Sequence, residues 1–327
     1  MELAVTDDTT ALNYWLNWRV LLCSIWVLAP MVVALLMICK YEGSDHLKSD
    51  QGESQQEVNR DLCGDEAWRP CLKMIHPLWL LAYRVIAFSL LLATLIAKVV
   101  LSGGGIFFYY TQWTFTLLTI CFGCGSLLSI YGCFWYDKTR SMGLGVHHVG
   151  SEAENGTYIP LEHEDKGSNY QEENYVLPVA IKCSYVFQAI FQMNAGAVML
   201  TDCIYWLIIY PFLTIKDYNL SFITVAMHTV NAVLLLGDAL LNCLQVPLVR
   251  ISLFVLWTGT FVIFQWTIHA FVSIWWPYPF LDLSSPYSPV WYLLVALMHI
   301  PCYASFTLIV RSKHYLLSRW FPLSYRC

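Results

Sequence analysis

Seven stretches of this chain are apolar for long enough to cross a bilayer: residues 16–39, 77–101, 106–135, 178–215, 220–243, 248–276 and 289–311. A membrane-crossing helix needs about 20 predominantly apolar residues. The runs are continuous rather than alternating, which selects helices over a β-barrel. In lipid each backbone amide must be satisfied within the protein, and a helix does this inside its own segment. The fourth run is too long for one crossing, so its first part, residues 176–192, is expected on the interface or in water. The expected fold is all-α, a polytopic membrane helix bundle of about seven transmembrane helices.

Composition excludes other classes. Of 327 residues, 57% are hydrophobic and 13% charged, with 14 Trp and 20 Tyr. A soluble domain carries about 25% charged residues. A net charge of -5 offers no basic stripe for phosphates, so no nucleic acid partner is expected. The 12 cysteines lie mostly inside apolar runs, unlike a disulfide framework. Cys63 and Cys71 are the pair in a polar loop. Cys121 and Cys124 have redox spacing but sit inside a span, where they read as small-residue packing. The amino terminus has no basic n-region and the first run is a full span long, so an anchor is expected rather than a cleaved leader.

The chain divides into an N-terminal segment with the first span (1–40), an acidic loop (41–76), spans two and three (77–135), a second acidic loop (136–177), spans four to seven (178–311) and a basic tail (312–327). Both loops are rich in Asp, Glu, Ser and Gly and are expected to be disordered. With seven spans, Lys40, Arg69, Lys73, Lys138, Arg250, Arg311, Lys313, Arg319 and Arg326 share one side, against little beyond Arg19, Lys98 and Lys216. The positive-inside rule puts that basic side, with both acidic loops and the carboxyl terminus, in the cytosol. A disulfide between Cys63 and Cys71, which could instead bind metal, would count against the orientation. The membrane is that of the endomembrane system or the cell surface. The sequons at Asn155 and Asn219 are expected to be unused, and Arg84 and Lys182 to snorkel from inner span ends.

Polar residues inside the spans carry the functional expectation. Thr111 lies about 9 Å from the outer start of the third run, His228 about 12 Å into the fifth, His269 about 9 Å from the end of the sixth, and His299 about 13–15 Å into the seventh. Four helices thus bring hydroxyl and imidazole groups to one outer layer. On the fifth span Thr224, His228, Asn231, Asp238 and Asn242 fall on one arc, which cannot face lipid. Gln265 and His269 share a face of the sixth span, and His299 and Tyr303 lie one turn apart on the seventh. Hydrogen bonding between helices as packing glue accounts for any one of these residues equally well.

The segment Phe108-Tyr109-Tyr110-Thr111-Gln112-Trp113-Thr114-Phe115 resembles the second conserved span of the androgen-induced protein and androgen-dependent TFPI-regulating protein family. Met227-His228-Thr229 resembles that family's Met-His-Thr segment, and Trp275-Trp276-Pro277-Tyr278-Pro279-Phe280-Leu281 its Trp-x-Tyr-Pro-Phe-Leu ending. The chain as a whole is similar to the plant multi-pass branch related to rolling stone proteins, over roughly residues 78–311, with the first span and both acidic loops as additions. The spacing from His269 to Tyr278-Pro279 is longer than in the family. The resemblance implies an intramembrane hydrolase of fatty acid esters of hydroxy fatty acids, with Thr111 as nucleophile and His228 as base.

The chemistry fits those residues. A threonine hydroxyl needs an adjacent base to become a nucleophile. Asn231 is placed to orient polar neighbours of His228, and Tyr303, His269 or Gln265 to donate to a developing oxyanion. Membrane lipids and a lipid ester are the expected partners. No cofactor or metal is expected, since no close histidine pair on one helix supports the zinc or haem that facing helices sometimes hold. Two other functions fit the sequence: a non-enzymatic protein whose acidic loops recruit partners, and a transporter using Asp238 and Asn242 to extend a wet path inward.

Overall fold

The computed structural model describes residues 8–49, 67–149, 167–213 and 222–327. Among them, regular structure is helical apart from two isolated bridges. The helices are α1 (Trp18–Ser49), α2 (Pro77–Ser102) and α3 (Tyr110–Val149). Next come α4 (Gly167–Ile204), prolonged by a π-helical segment Tyr205–Leu213, and α5, which passes from Phe222–Val225 through π-helical Ala226–Val230 into Asn231–Leu241. Then α6 (Ile251–Phe271) and α7 (Ser288–Trp320) complete the bundle. All seven contain segments long and apolar enough to cross a membrane, so the chain is a multi-pass membrane protein.

The ends differ from expectation in instructive ways. Parts of both acidic loops are helical: α1 runs to Ser49, α3 to Val149, and α4 begins at Gly167. Extending a helix costs far less than nucleating one, so a membrane-anchored span continues into polar sequence. Residues 50–66 and 150–166, with Cys63 and the Asn155 sequon, lie outside the described residues, as does the Asn219 sequon. At the outer face the apolar runs outlast the helices. Residues Gly104–Phe108 form a 3-10 turn before α3, and α6 stops at Phe271. Pro277 and Pro279 lack amide donors and cannot continue a helix. The segment after α6 instead folds over the bundle, burying Trp276, Phe280 and Leu281. Between α2 and α3, Gly103 at φ 71 ends the helix, its amide returning to the Val99 carbonyl at 2.8 Å.

At the inner face α7 reaches Trp320, past the expected end at 311. The tail then docks: the Lys73 amide donates to the Ser324 carbonyl at 2.8 Å, and the Arg326 amide to the Cys71 carbonyl at 3.0 Å.

Burial sorts the helices. The apolar window of α3 is 61% buried, those of α1 and α2 11% each. The α3 helix is therefore interior, and α1 and α2 turn most of their surface to lipid. Leu36, Ile86, Val100 and Leu127 point outward, as expected where the solvent is acyl chain. The α4 helix packs on α3, α6 and α7, and α1 covers α6 and α7.

Arg84 does not snorkel. It is fully buried and forks onto Asp238, with Nε 2.7 Å from Oδ1 and Nη2 3.2 Å from Oδ2. Its Nη1 donates to the Ala67 carbonyl at 2.8 Å, the Gly125 carbonyl at 3.2 Å and the Ser129 hydroxyl at 2.9 Å. Asn242 donates to the same carboxylate at 2.9 Å. Burying two charges is costly unless donors and acceptors are matched this fully. The inner half of the α5 polar stripe is thus occupied as a bond between α2, α3 and α5.

Candidate active site

Thr111 sits in the first turn of α3 and His228 in the π-helical part of α5. Both line one cavity of about 630 Å³ at the outer end of the bundle, together with Lys98, Gln112, Tyr205 and Tyr278. Both also line a smaller one of about 50 Å³, with Thr201 and Thr258. The larger volume lies within the usual range for small-molecule sites, about 300–1,000 Å³. Its wall is mixed: Ile209, Met227 and Trp275 are apolar, and Lys98 brings a cation.

The π-helical segments explain how His228 is aimed. Widening a helix by one residue per turn shifts the side chains that follow, and such segments recur at functional sites. Pro211 lies within the one in α4, where its missing amide loosens the ladder. The two widened segments face each other. The His228 ring lies flat on Tyr205, with centroids 3.7 Å apart and planes within 5°. The Trp206 indole donates to the His228 carbonyl at 2.6 Å.

Asp202, near the end of α4, is the residue sequence reasoning missed. Its Oδ1 is 3.8 Å from His228 Nδ1 and accepts from the Asn231 amide at 3.0 Å. The first distance is too long for a hydrogen bond. His228 Nδ1 and Asp202 Oδ2 are buried without a hydrogen-bond partner, as is Gln112 Oε1. Each such orphan costs about 1–3 kcal/mol. The missed signal was an acid in a run otherwise free of charge from Ala195 to Leu213.

Tyr278 lines the same cavities as Thr111 and lies beside it. Burial pushes its hydroxyl up to about 12, against the opposing pull of hydrogen bonds from the Thr111 side chain and from the Thr111 and Tyr110 backbone. It therefore stays protonated at neutral pH. No hydrogen bond joins Thr111 to His228 directly; the two meet across the shared cavity.

The other expected donors are elsewhere. Gln265 donates to the Phe108 carbonyl at 2.7 Å and fastens the turn before α3. His269 holds the Gln265 carbonyl at 2.8 Å and stacks on Trp276 at 3.7 Å. Tyr303 donates to the Pro247 carbonyl at 3.1 Å, toward the inner face. His299 lies about 16 Å below the start of α7, stacked on Phe254 at 4.3 Å and facing a separate cavity of about 60 Å³ beside Trp26. Thr111 and His228 line the same cavities, and Gln265, His269, His299 and Tyr303 do not line them. The α3 helix begins later and α6 ends earlier than hydropathy suggests.

Fold and cavity together define an all-α multi-pass membrane bundle with a threonine, a histidine and a carboxylate gathered near one outer pocket. No family model, no curated protein and no solved structure matches the chain.

Proposed function

We propose that the outer cavity binds a lipid ester and cleaves it, with Thr111 as nucleophile and His228 as general base. The observation that carries this is the convergence of Thr111 and His228, from two helices, on the same cavities. The resemblance of the segments around both residues to a threonine hydrolase family points the same way. His228 takes the Thr111 proton as Oγ1 attacks the ester carbonyl. It returns that proton to the departing alkoxide, leaving an acyl-threonine. Water, activated by the same imidazole, then releases the acid. Tyr278 is placed to donate to the developing oxyanion. Lys98 suits a substrate with a free carboxylate, as a fatty acid ester of a hydroxy fatty acid has.

The test is labelling of the full chain in membranes by a fluorophosphonate probe, alongside hydrolysis of such an ester. Labelling is expected in the wild type and in Thr111→Ser, and lost in Thr111→Ala and His228→Ala at equal expression. Labelling that persists in both alanine variants removes these residues from the mechanism.

A further inference from the structure

Three sulfurs meet at the basic end of the bundle, opposite the cavity. Cys71 precedes α2, Cys243 follows α5 and Cys327 ends the tail. Their sulfurs all lie within 4.8 Å of one another. Cys243 and Cys327 are joined as a disulfide, and Cys71 is a free, buried thiol that donates to the Asn242 carbonyl. Around them the backbone is fixed: the Cys71 amide donates to the Leu241 carbonyl at 3.0 Å, and the Arg326 amide to the Cys71 carbonyl at 3.0 Å. Lys313 Nζ donates to the Ala239 and Asn242 carbonyls at 2.9 and 2.8 Å, the second being the carbonyl that the Cys71 thiol also meets.

Two physical facts collide here. Arg69, Lys73, Arg250, Arg311, Arg319 and Arg326 crowd this end, so the positive-inside rule assigns it to the cytosol. Disulfides do not persist there; the thiol pool keeps cysteines reduced. A third cysteine beside the pair is also more than a covalent staple needs. We infer that Cys71, Cys243 and Cys327 form a tri-thiolate site for a soft divalent cation of the zinc class, the disulfide being its oxidised form.

The chemistry balances. Two thiols of the glutathione class, leaving as their own disulfide, supply the two electrons and two protons that open the Cys243–Cys327 bond. Three thiols then bind one Zn²⁺ and release three protons. Tetrahedral Zn–S bonds of about 2.3 Å put the sulfurs about 3.8 Å apart: Cys243 and Cys327 separate once their bond is opened, and Cys71 already lies within 4.8 Å of both. Three thiolates and one divalent cation leave a single negative charge. The Lys313 ammonium neutralises it, which a buried site requires. A fourth position remains for water or another ligand. The consequence is structural: the metal ties the loop before α2, the end of α5 and the carboxyl terminus into one node.

The test uses the full chain, purified in detergent under anaerobic reducing conditions and loaded with Co²⁺. About one Co²⁺ per chain is expected, with thiolate-to-cobalt charge-transfer bands and strong visible bands of a tetrahedral site, bleached by Zn²⁺. Cys71→Ser, Cys243→Ser and Cys327→Ser each abolish the bands, whereas Cys39→Ser, in an exposed position, keeps them. Lys313→Met weakens Zn²⁺ binding by about 10–100-fold. The wild-type spectrum decides even where a variant fails to fold: a pale octahedral spectrum, or none, overturns the site. So does differential alkylation showing Cys243 and Cys327 still joined at a cytosolic glutathione potential.

Discussion

The Asp202 carboxylate stands 3.8 Å from Nδ1 of His228, and the oxygen that faces the imidazole also accepts the Asn231 amide at 3.0 Å. An acid from α4 and an amide from α5 thereby bracket one face of the ring, while Tyr205 covers its plane. On the proposed reading this is a base held by its partner, loosened by about one ångström. Catalytic hydrogen bonds are often long before substrate binds.

If that contact orients the imidazole, Asp202→Asn lowers kcat for ester hydrolysis by about 10-fold or more while KM changes little. Asn231→Ala, which frees the carboxylate without removing it, has the smaller effect. Steady-state kinetics on matched membrane preparations separate the two. An Asp202→Asn enzyme with wild-type kcat would show that His228 is positioned by Tyr205 and the helix alone.

Tyr278 ties alkaline stability to the site. Its hydroxyl is raised from 10.0 to about 12, so the fold favours the protonated phenol. Below pH 10 both folded and unfolded chains are protonated and the contribution is complete. Between 10 and about 12 the unfolded chain ionises first, and up to about 1.4 kcal/mol of stability per pH unit is lost. Thermal unfolding in detergent at about pH 9 and about pH 11 measures this. Tyr278→Phe flattens the fall between them; equal falls would mean that this phenol ionises as freely as one in water.

The class of fold was plain in the residues, because lipid imposes it. No other structure satisfies the backbone of seven long apolar runs. The helix ends were not plain, since an apolar loop such as Trp275–Leu281 and the end of a span have the same hydropathy. Two prolines were the available signal. Thr111 and His228 stood out as polar groups on expected interior faces. Asp202 did not, because the fourth run was too long to fix its depth or phase, and π-helical turns break a 100° periodicity. Arg84 was misread for a simpler reason. Its place near a span start suggested water, whereas its fork is met by Asp238 and three further acceptors on α3 and the loop before α2.

The crossing of α2 and α5 is close enough to be tested with one carbon. A Cβ on Gly237 falls 2.1 Å from the Tyr83 hydroxyl oxygen and 2.8 Å from Cζ, and that hydroxyl donates to the Leu234 carbonyl at 2.8 Å. Gly237→Ala therefore lowers stability by about 1–3 kcal/mol. Adding Tyr83→Phe removes the nearest atom and recovers part of the loss, though the single Tyr83→Phe change costs about 1 kcal/mol. A double variant no more stable than Gly237→Ala would place the obstacle elsewhere.

Arg84 and Asp238 make the sharpest stability prediction. Arg84→Met leaves a buried carboxylate with only Asn242 to answer it, and Asp238→Leu leaves a buried guanidinium on neutral acceptors. Each single change costs about 3–5 kcal/mol. Changing both removes the uncompensated charge and restores most of the loss, since apolar pairs often match buried ion pairs in stability. Recovery stays incomplete because Asn242 and the acceptors at Ala67, Gly125 and Ser129 lose their partner. Unfolding midpoints of the four proteins in one detergent give the coupling. Additive losses in the double variant would mean that the two charges are held separately, and that the α2–α5 crossing rests on packing instead.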